Sequence, residues 1–592
     1  MPNFLSTLQK TWKPKTLGKI LFVLLFASFV FMGVYNTYNY SVTLDEPAHL
    51  GAAESYRWHI GVNQEHPPLM KALNAVLIRV AFPNYQTITN NQYGKGSEFL
   101  WLSPYNPNLV LQTSRFVYLA FHSLIFAWFW YYVYHRKLIN ERFSLIFLTL
   151  LTFSPSVITI NPLLIFDIAG ALTAFTAVFS SVLLFFNFQT LTRKSLIFDT
   201  LVTSLVVSTA LLSKFTNLYI VFVLIFIALA TCAKYIKQGV FKNIWKRFVI
   251  SILTITTFVL TSVWLIYTYA YGKIPYVFTT QTGLEKKILI PFFRMYDGAM
   301  SIYSYVQVTP KANFVDDRFT FITYQQFINR VFWFKENPIL VLLLALATIF
   351  TIWFSTRHWS RLKAHLTTKN ILISLSVALY PVMYFYLAKD KFFAIGFRHF
   401  LSIEVFILAG LAALVYFFTI LKPQLKNWVS IVLILYSIFG VLALQKGVGY
   451  TNLYWNRPNW ELANDSTIFL AEYQRKPLEY LNSIGKLKPN NDDGNITFIY
   501  RGHWITQQMT IYQITGSKDE RYGSYNIGID PMSQKITDSK ATYLAVDIFW
   551  FQEILNNIST TDNQIARQNW QYLQNTKPIY NYQNAAFVYQ LR

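Results

Sequence analysis

A single cysteine, Cys232, stands in 592 residues, and charge is nearly as scarce, at 13% of the chain against 54% apolar and 18% aromatic residues. One thiol, read as plain helix packing, excludes an internal disulfide framework and any metal site built from cysteines. So little charge excludes an ordinary soluble domain, where about a quarter of residues carry it. Neither a glycine-rich nucleotide fingerprint, nor a repeat, nor a low-complexity run is present. Acidic residues are the scarcer sign, 28 against 51 Lys and Arg, for a formal net charge of +23. Such an excess can mark a nucleic-acid binder, but there is no basic groove interleaved with aromatics, so nucleic acid is not an expected partner.

What is abundant is hydrocarbon in lengths of about 20 residues, enough to cross a bilayer as a helix. Eleven such runs fall near 20–40, 110–134, 143–161, 165–187, 195–213, 217–234, 247–271, 338–356, 370–388, 400–420 and 428–446. The first is too long for a signal-peptide core and is followed by no small-residue cleavage site, so it reads as a retained span. Basic residues fill the loops on the N-terminal side: Lys10, Lys13, Lys15 and Lys19; Arg136, Lys137 and Arg142; Arg193 and Lys194; Lys234 to Arg247; Arg357, Arg361, Lys363 and Lys369; Lys422 and Lys426. The opposite loops mix both signs, so the N-terminus is expected in the cytoplasm. An odd number of spans then places the C-terminus outside a multi-pass cytoplasmic membrane protein.

Three long segments share the outer face: a first loop (about 41–109), a central loop (about 272–337) and a tail (447–592). In the first loop Leu50, Ala53, Tyr56, Trp58 and Ile60, then Leu69, Leu73, Val76, Leu77 and Val80, have the spacing of helices lying in the interface. The tail carries short strand-like runs, Ile496–Tyr500 and Thr542–Asp547, among polar residues. The expected fold class is therefore an all-α polytopic membrane domain over 1–446 with a small extracytoplasmic α/β domain over 447–592.

Ser41 to Arg79 concentrates ionisable groups at a membrane edge, where each needs a reason. Asp45 and Glu46 are adjacent, and His66, Lys71, Arg57 and Glu65 follow. Two neighbouring carboxylates at low dielectric tend to part in pKa, leaving one fit to act as a base; a solvated pair ending the first helix is the plainer alternative. Arg115, Asp167, Lys214, Arg398 and His399 sit at the outer ends of later spans. Each alone can snorkel to the interface. At one shared level they imply a polar chamber with cations for a phosphate. No cluster has clear metal-ligand spacing, so no cofactor is expected and a divalent metal is not required.

TLDEPAHL followed by EHPPLMKAL resembles the Asp-Glu and His-Pro-Pro-Leu signatures of the polyprenyl-phosphate-sugar-dependent protein O-mannosyltransferase superfamily. Its members are glycosyltransferases of the C-type (GT-C) fold, among them enzymes that add aminoarabinose to lipid A. In chain order, TSRFVYLAF, SPSVITINPLLIFDIAGAL, LLSKFTNLYIV, FWFKENPILVLL and GFRHFLSIEVFILAG are similar to later segments of that family, and GYTNLYWNRPNWELANDSTIFLAEYQRKPLEYL to the tail entry of bacterial members. The sequence departs from the pattern at Phe166 for Thr, at Ser402 for Pro, and at FLAE (469–472) for DWGQ.

The resemblance implies transfer of mannose or a related hexose from a membrane-held polyprenyl phosphate to a hydroxyl of a protein, lipid or envelope glycan. It makes Asp45 the general base, with Glu46 orienting hydroxyls. Arg115, Lys214 and Arg398 become the phosphate ligands, His66, His399 and Lys71 further contacts, and Asp167 a partner for a basic group. Two other classes remain open. A transporter or flippase would place ionisable groups near the midplane of symmetric halves, and a noncatalytic envelope-binding scaffold would need no base.

Overall fold

The computed structural model describes residues 14–43, 45–274, 284–308, 313–315, 318–357, 367–392, 396–446, 472–489, 499–500, 504–518, 532–539, 541–582 and 586–591. Lys10, Lys13, Arg361, Lys363, the FLAE segment up to Ala471 and the start of the 496–500 run lie outside these. Among the described residues ten helices are long and apolar enough to cross a membrane. The chain begins with one of them, α1 (Pro14–Asn39). Three short helices of the first outer loop follow: α2 (Glu46–Tyr56), α3 (Leu69–Ala81) and α4 (Gln92–Trp101). Next come α5 (Pro107–Trp130), then α6 (Glu141–Thr152) and α7 (Pro155–Ile160).

The run expected as one span over 143–161 is thus broken. Ser154 caps α7 through its side chain and Pro155 occupies the first turn, where its missing N–H is no loss. The two pieces together run alongside α1. Glu141 lies against Gly18 near the inner end of α1, and Asn36 near its outer end donates to the Ile158 carbonyl at 2.6 Å. Beyond them run α8 (Phe166–Phe186), α9 (Arg193–Ser213), α10 (Ile220–Lys237) and α11 (Phe241–Tyr271). The α8 window is 94% buried, and a helix apolar all round belongs at the centre of a bundle. The main hydrophobic cluster packs around it.

The central outer segment forms α12 (Leu284–Val308), a β1–β2 hairpin (Asn313–Val315 with Arg318–Thr320) and α13 (Tyr324–Lys335). The remaining spans are α14 (Pro338–Arg357), α15 (Thr368–Ala388), α16 (Leu401–Leu421) and α17 (Leu425–Lys446). In the tail, α18 (Glu472–Ser483), β3 (Ile499–Tyr500), α19 (Trp504–Thr515), β4 (Tyr543–Asp547), α20 (Ile548–Thr561), α21 (Gln564–Asn575), β5 (Tyr580–Tyr582) and β6 (Ala586–Gln590) surround a sheet of order β3-β4-β6-β5. Among the described strands of this sheet the β3–β4 pair is parallel and the other two pairs are antiparallel.

The tail touches the outer end of α1 and the first loop. Arg475 donates to the Asn39 carbonyl at 3.1 Å, the Thr510 hydroxyl meets that of Ser41, and Lys518 donates to the Trp101 carbonyl at 3.0 Å. The tail therefore sits at the Asn39 end of α1, opposite the Pro14 end. Ten continuous helices plus the α6–α7 pair make eleven apolar segments among the described residues.

One expectation is corrected. The stretch from Leu50 to Tyr56 does not lie in the interface, because every residue of α2 is buried. Gly51 and Gly96 allow this: a Cβ on Gly96 would strike the Pro47 carbonyl, and one on Gly51 that of Gln92, so α2 and α4 meet backbone to backbone. Helix α3 does show an exposed apolar face, through Leu73, Val76, Leu77 and Val80.

Candidate active site

Asp45 stands at the N-cap of α2, yet its side chain makes no cap hydrogen bond. It turns instead to Arg398, whose guanidinium approaches to 2.7 Å. Arg398 and His399 lie in the short turn Phe397–Phe400 that leads into α16. The hydroxyls of Tyr324 and Tyr384 donate to the His399 carbonyl at 3.3 and 3.2 Å and fix that turn.

From Arg398 the charges continue to Asp167, 3.8 Å from the guanidinium, and from Asp167 to Lys214 at 2.6 Å. His399 Nδ1 lies 3.7 Å from the same carboxylate. Asp167 occupies the first turn of α8, where the helix dipole favours an anion. Lys214 has extended backbone between α9 and the short turn Phe215–Tyr219. Its chain lies over Gly170, where a Cβ would come within 2.8 Å of Lys214 Cδ. The result is an alternating row, Lys214, Asp167, Arg398, Asp45, in which two cations face two carboxylates.

Arg115 and Glu46 stand apart from this row. Arg115 donates to both Glu46 oxygens, at 2.7 and 2.6 Å, and to the Thr37, Tyr40 and Ser41 carbonyls. That takes all the N–H groups a guanidinium has, so Arg115, expected as a phosphate ligand, has none left for one. Glu46, expected to orient hydroxyls, also accepts from the amides of Thr43 and Leu164 and is fully buried. The pair fastens the stretch after α1 to α5 and to the chain before α8.

His66 and Lys71 both lie against Phe166, and the His66 ring is 6.1 Å from that of His49. Lys71 Nζ donates to the Asn63 carbonyl (3.2 Å), to Asn63 Oδ1 (3.0 Å) and to the His66 carbonyl (3.0 Å). It also sits over the rings of Tyr56 and Phe166. Burial pushes the Lys71 amine down to about 7, with Glu65 opposing that shift.

One residue that sequence reasoning passed over belongs here. His49 is one helical turn beyond Asp45, a spacing that puts both on one face. Its ring packs on Phe166 at 4.3 Å between centroids, and the His66 ring packs on Phe166 at 4.8 Å. Burial drives the His49 imidazole down to about 3 and His66 well below its ordinary value, so both are neutral near pH 7. Neither Nδ1 finds a hydrogen-bond partner among the described residues. Partial burial raises the Asp45 carboxyl, but Arg398, helped by His49, more than offsets this and holds it below the usual range. Among the described residues no group of three or more His, Cys, Asp or Glu is placed to hold a metal ion.

No protein-family model matches the chain, and no curated protein does. Among solved structures, the crystal structure of ArnT from Cupriavidus metallidurans in the apo state aligns with 96% of this chain and 98% of its own, at 9% identity and a TM-score of 0.36. So loose a likeness leaves the site to be read from its own residues.

Proposed function

We propose that this multi-pass membrane protein is a GT-C-type glycosyltransferase that moves mannose or a related hexose from a polyprenyl phosphate to an acceptor hydroxyl on the outer face. The observation that carries the proposal is the row of Lys214, Asp167, Arg398 and Asp45 at the outer ends of buried helices. Lys214 and Arg398 supply charge for a phosphate, and Asp167 holds the two cations in register. Asp45, with 26% of its side chain exposed, is the carboxylate an incoming hydroxyl can reach. His399 and His66 are secondary polar contacts.

In the reaction Asp45 takes the acceptor's hydroxyl proton as that oxygen bonds to the sugar's anomeric carbon. The carbon–oxygen bond to phosphate breaks, and its electron pair leaves on the polyprenyl phosphate held by Lys214 and Arg398. A single displacement inverts the anomeric centre. The leaving group is already a stabilised anion, so the step can be written without a metal. A positioned base is worth about 10²–10⁴ in rate.

The test is transfer by the purified protein from a labelled polyprenyl-phosphate hexose to hydroxyl acceptors of protein, lipid and glycan type. Asp45→Asn should lower transfer at least about 100-fold while the protein stays folded. Undiminished transfer in that variant would remove Asp45 as base, and failure of every donor to bind would remove the enzyme class.

A further inference from the structure

The row at the site is electrically closed. Lys214 and Arg398 bring two positive charges, Asp167 and Asp45 two negative ones, and all four are in contact. A glycosyl polyprenyl phosphate is a diester carrying one negative charge. Entering this row as it stands, it would meet cations already neutralised and a carboxylate on the same guanidinium, where like charges repel. One carboxylate must let go.

The two carboxylates are not equally held. Asp167 has 9% of its side chain exposed and is gripped by Lys214, with Arg398 and His399 alongside. Asp45 is 26% exposed, and its closest cation is Arg398 at 2.7 Å. Its backbone is fixed, since the Asp45 carbonyl accepts from the His49 amide at 3.1 Å. The carboxylate can therefore leave Arg398 by rotation alone, with α2 in place.

Resting on the glycosyltransferase reading above, we propose that Asp45 is a displaceable counter-ion: it occupies the donor's phosphate position on Arg398 until the donor replaces it, and the displacement frees it to act as base. Donor binding thus comes first and arms the enzyme. Before the donor arrives, Arg398 holds the Asp45 carboxyl too low to take a proton readily, and partial burial, which works in the opposite direction, takes over once that contact is lost. The charges stay balanced through the step. As the phosphate passes from a diester with one negative charge to a monoester with two, Asp45 passes from one negative charge to none. The proton it gains offsets the charge the phosphate gains.

This gives Asp45 a signature that a simple base or a structural residue lacks. Asp45→Asn removes the competing charge and should bind labelled polyprenyl-phosphate hexose about tenfold more tightly than the wild type, while transferring sugar at least about 100-fold more slowly. Asp45→Ser, which also lacks the charge, should show the same gain, with thermal unfolding confirming that both variants are folded. Equal or weaker donor binding in both folded variants, alongside lost transfer, would overturn the displacement and leave the glycosyltransferase reading intact. Absence of donor binding in wild type and variants alike would overturn both.

Discussion

Arg115 and Lys71 are both cations removed from solvent, and their partners give them different duties. Arg115 is closed inside a bidentate pair with Glu46, 0% exposed on both sides. Breaking a buried pair leaves an uncompensated charge, at about 3–5 kcal/mol. Arg115→Met should therefore lower the thermal unfolding temperature in detergent far more than it lowers the donor affinity of the protein that remains folded. Lys71 ties down the Asn63–His66 loop with three hydrogen bonds and faces Tyr56, Phe166 and His66, with Glu65 nearby. Above its value of about 7 the amine loses a donor, so transfer should fall along an alkaline limb centred there. The folded chain sheds this proton before the unfolded chain does, so stability should rise as pH climbs from about 7 toward the ordinary lysine value of about 10.4. Opposite movement of rate and stability across that range, absent in Lys71→Met, is the expected result; parallel movement would count against the loop-tying role. Which residues gather in the row was legible from their cost in a membrane, since Asp167, Lys214, Arg398 and His399 stand out from apolar helices. Which of them pair was not, because Arg115 looks no different in sequence from Arg398. His49 was within reach, one turn from Asp45 and within the same TLDEPAHL segment, but it was not singled out there.

Between elements, the decisive contacts are made by what is missing from a side chain. Helices α2 and α4 touch through Gly51 and Gly96, and this close approach buries the whole of α2 and sets where Asp45 emerges. Gly96→Ala would press a methyl on the Pro47 carbonyl, which cannot move aside as a side chain would. A loss of about 1–3 kcal/mol is expected from such overpacking, measurable as a lowered unfolding temperature together with reduced transfer. Gly170→Ala is a gentler case, because it meets the flexible Lys214 chain at 2.8 Å. It should weaken donor binding with little change in stability. The spans were legible because hydrocarbon thickness dictates their length. The break at Ser154–Pro155 was not drawn from the sequence, although a Ser before a Pro is a helix-start signal; the apolar run continues through it, and period and length alone cannot show a joint. The helices of the central outer segment were missed for a different reason. Their residues, such as Tyr303 and Tyr305, mix polar and aromatic character without a clear stripe.

At the scale of the whole molecule, topology is a matter of parity. With α17 as a span and the tail at the Asn39 end of α1, Lys422, between α16 and α17, and Lys577, in the tail before β5, are expected on opposite sides of the membrane. In a Cys232→Ser background, Lys577→Cys should react with an impermeant maleimide in intact cells and Lys422→Cys only after permeabilisation; the reverse pattern would invert the orientation, and identical labelling of the two would overturn their placement on opposite sides. The tail also reaches the β1–β2 hairpin, where the Phe319 amide donates to Asn556 at 2.9 Å. Its grip on the first loop was not foreseeable, since contacts across the length of a chain leave no local pattern.

That grip bears on how the protein is made. Ser41 and Thr510 are 469 residues apart, and Met509 packs into the same cluster as Val42 and Leu50. During synthesis the stretch bearing Asp45 is made long before α19 (Trp504–Thr515), the helix that meets Ser41. The contact beside Asp45 therefore forms only after all the described spans have been made, and a product that stops short of α19 would lack it.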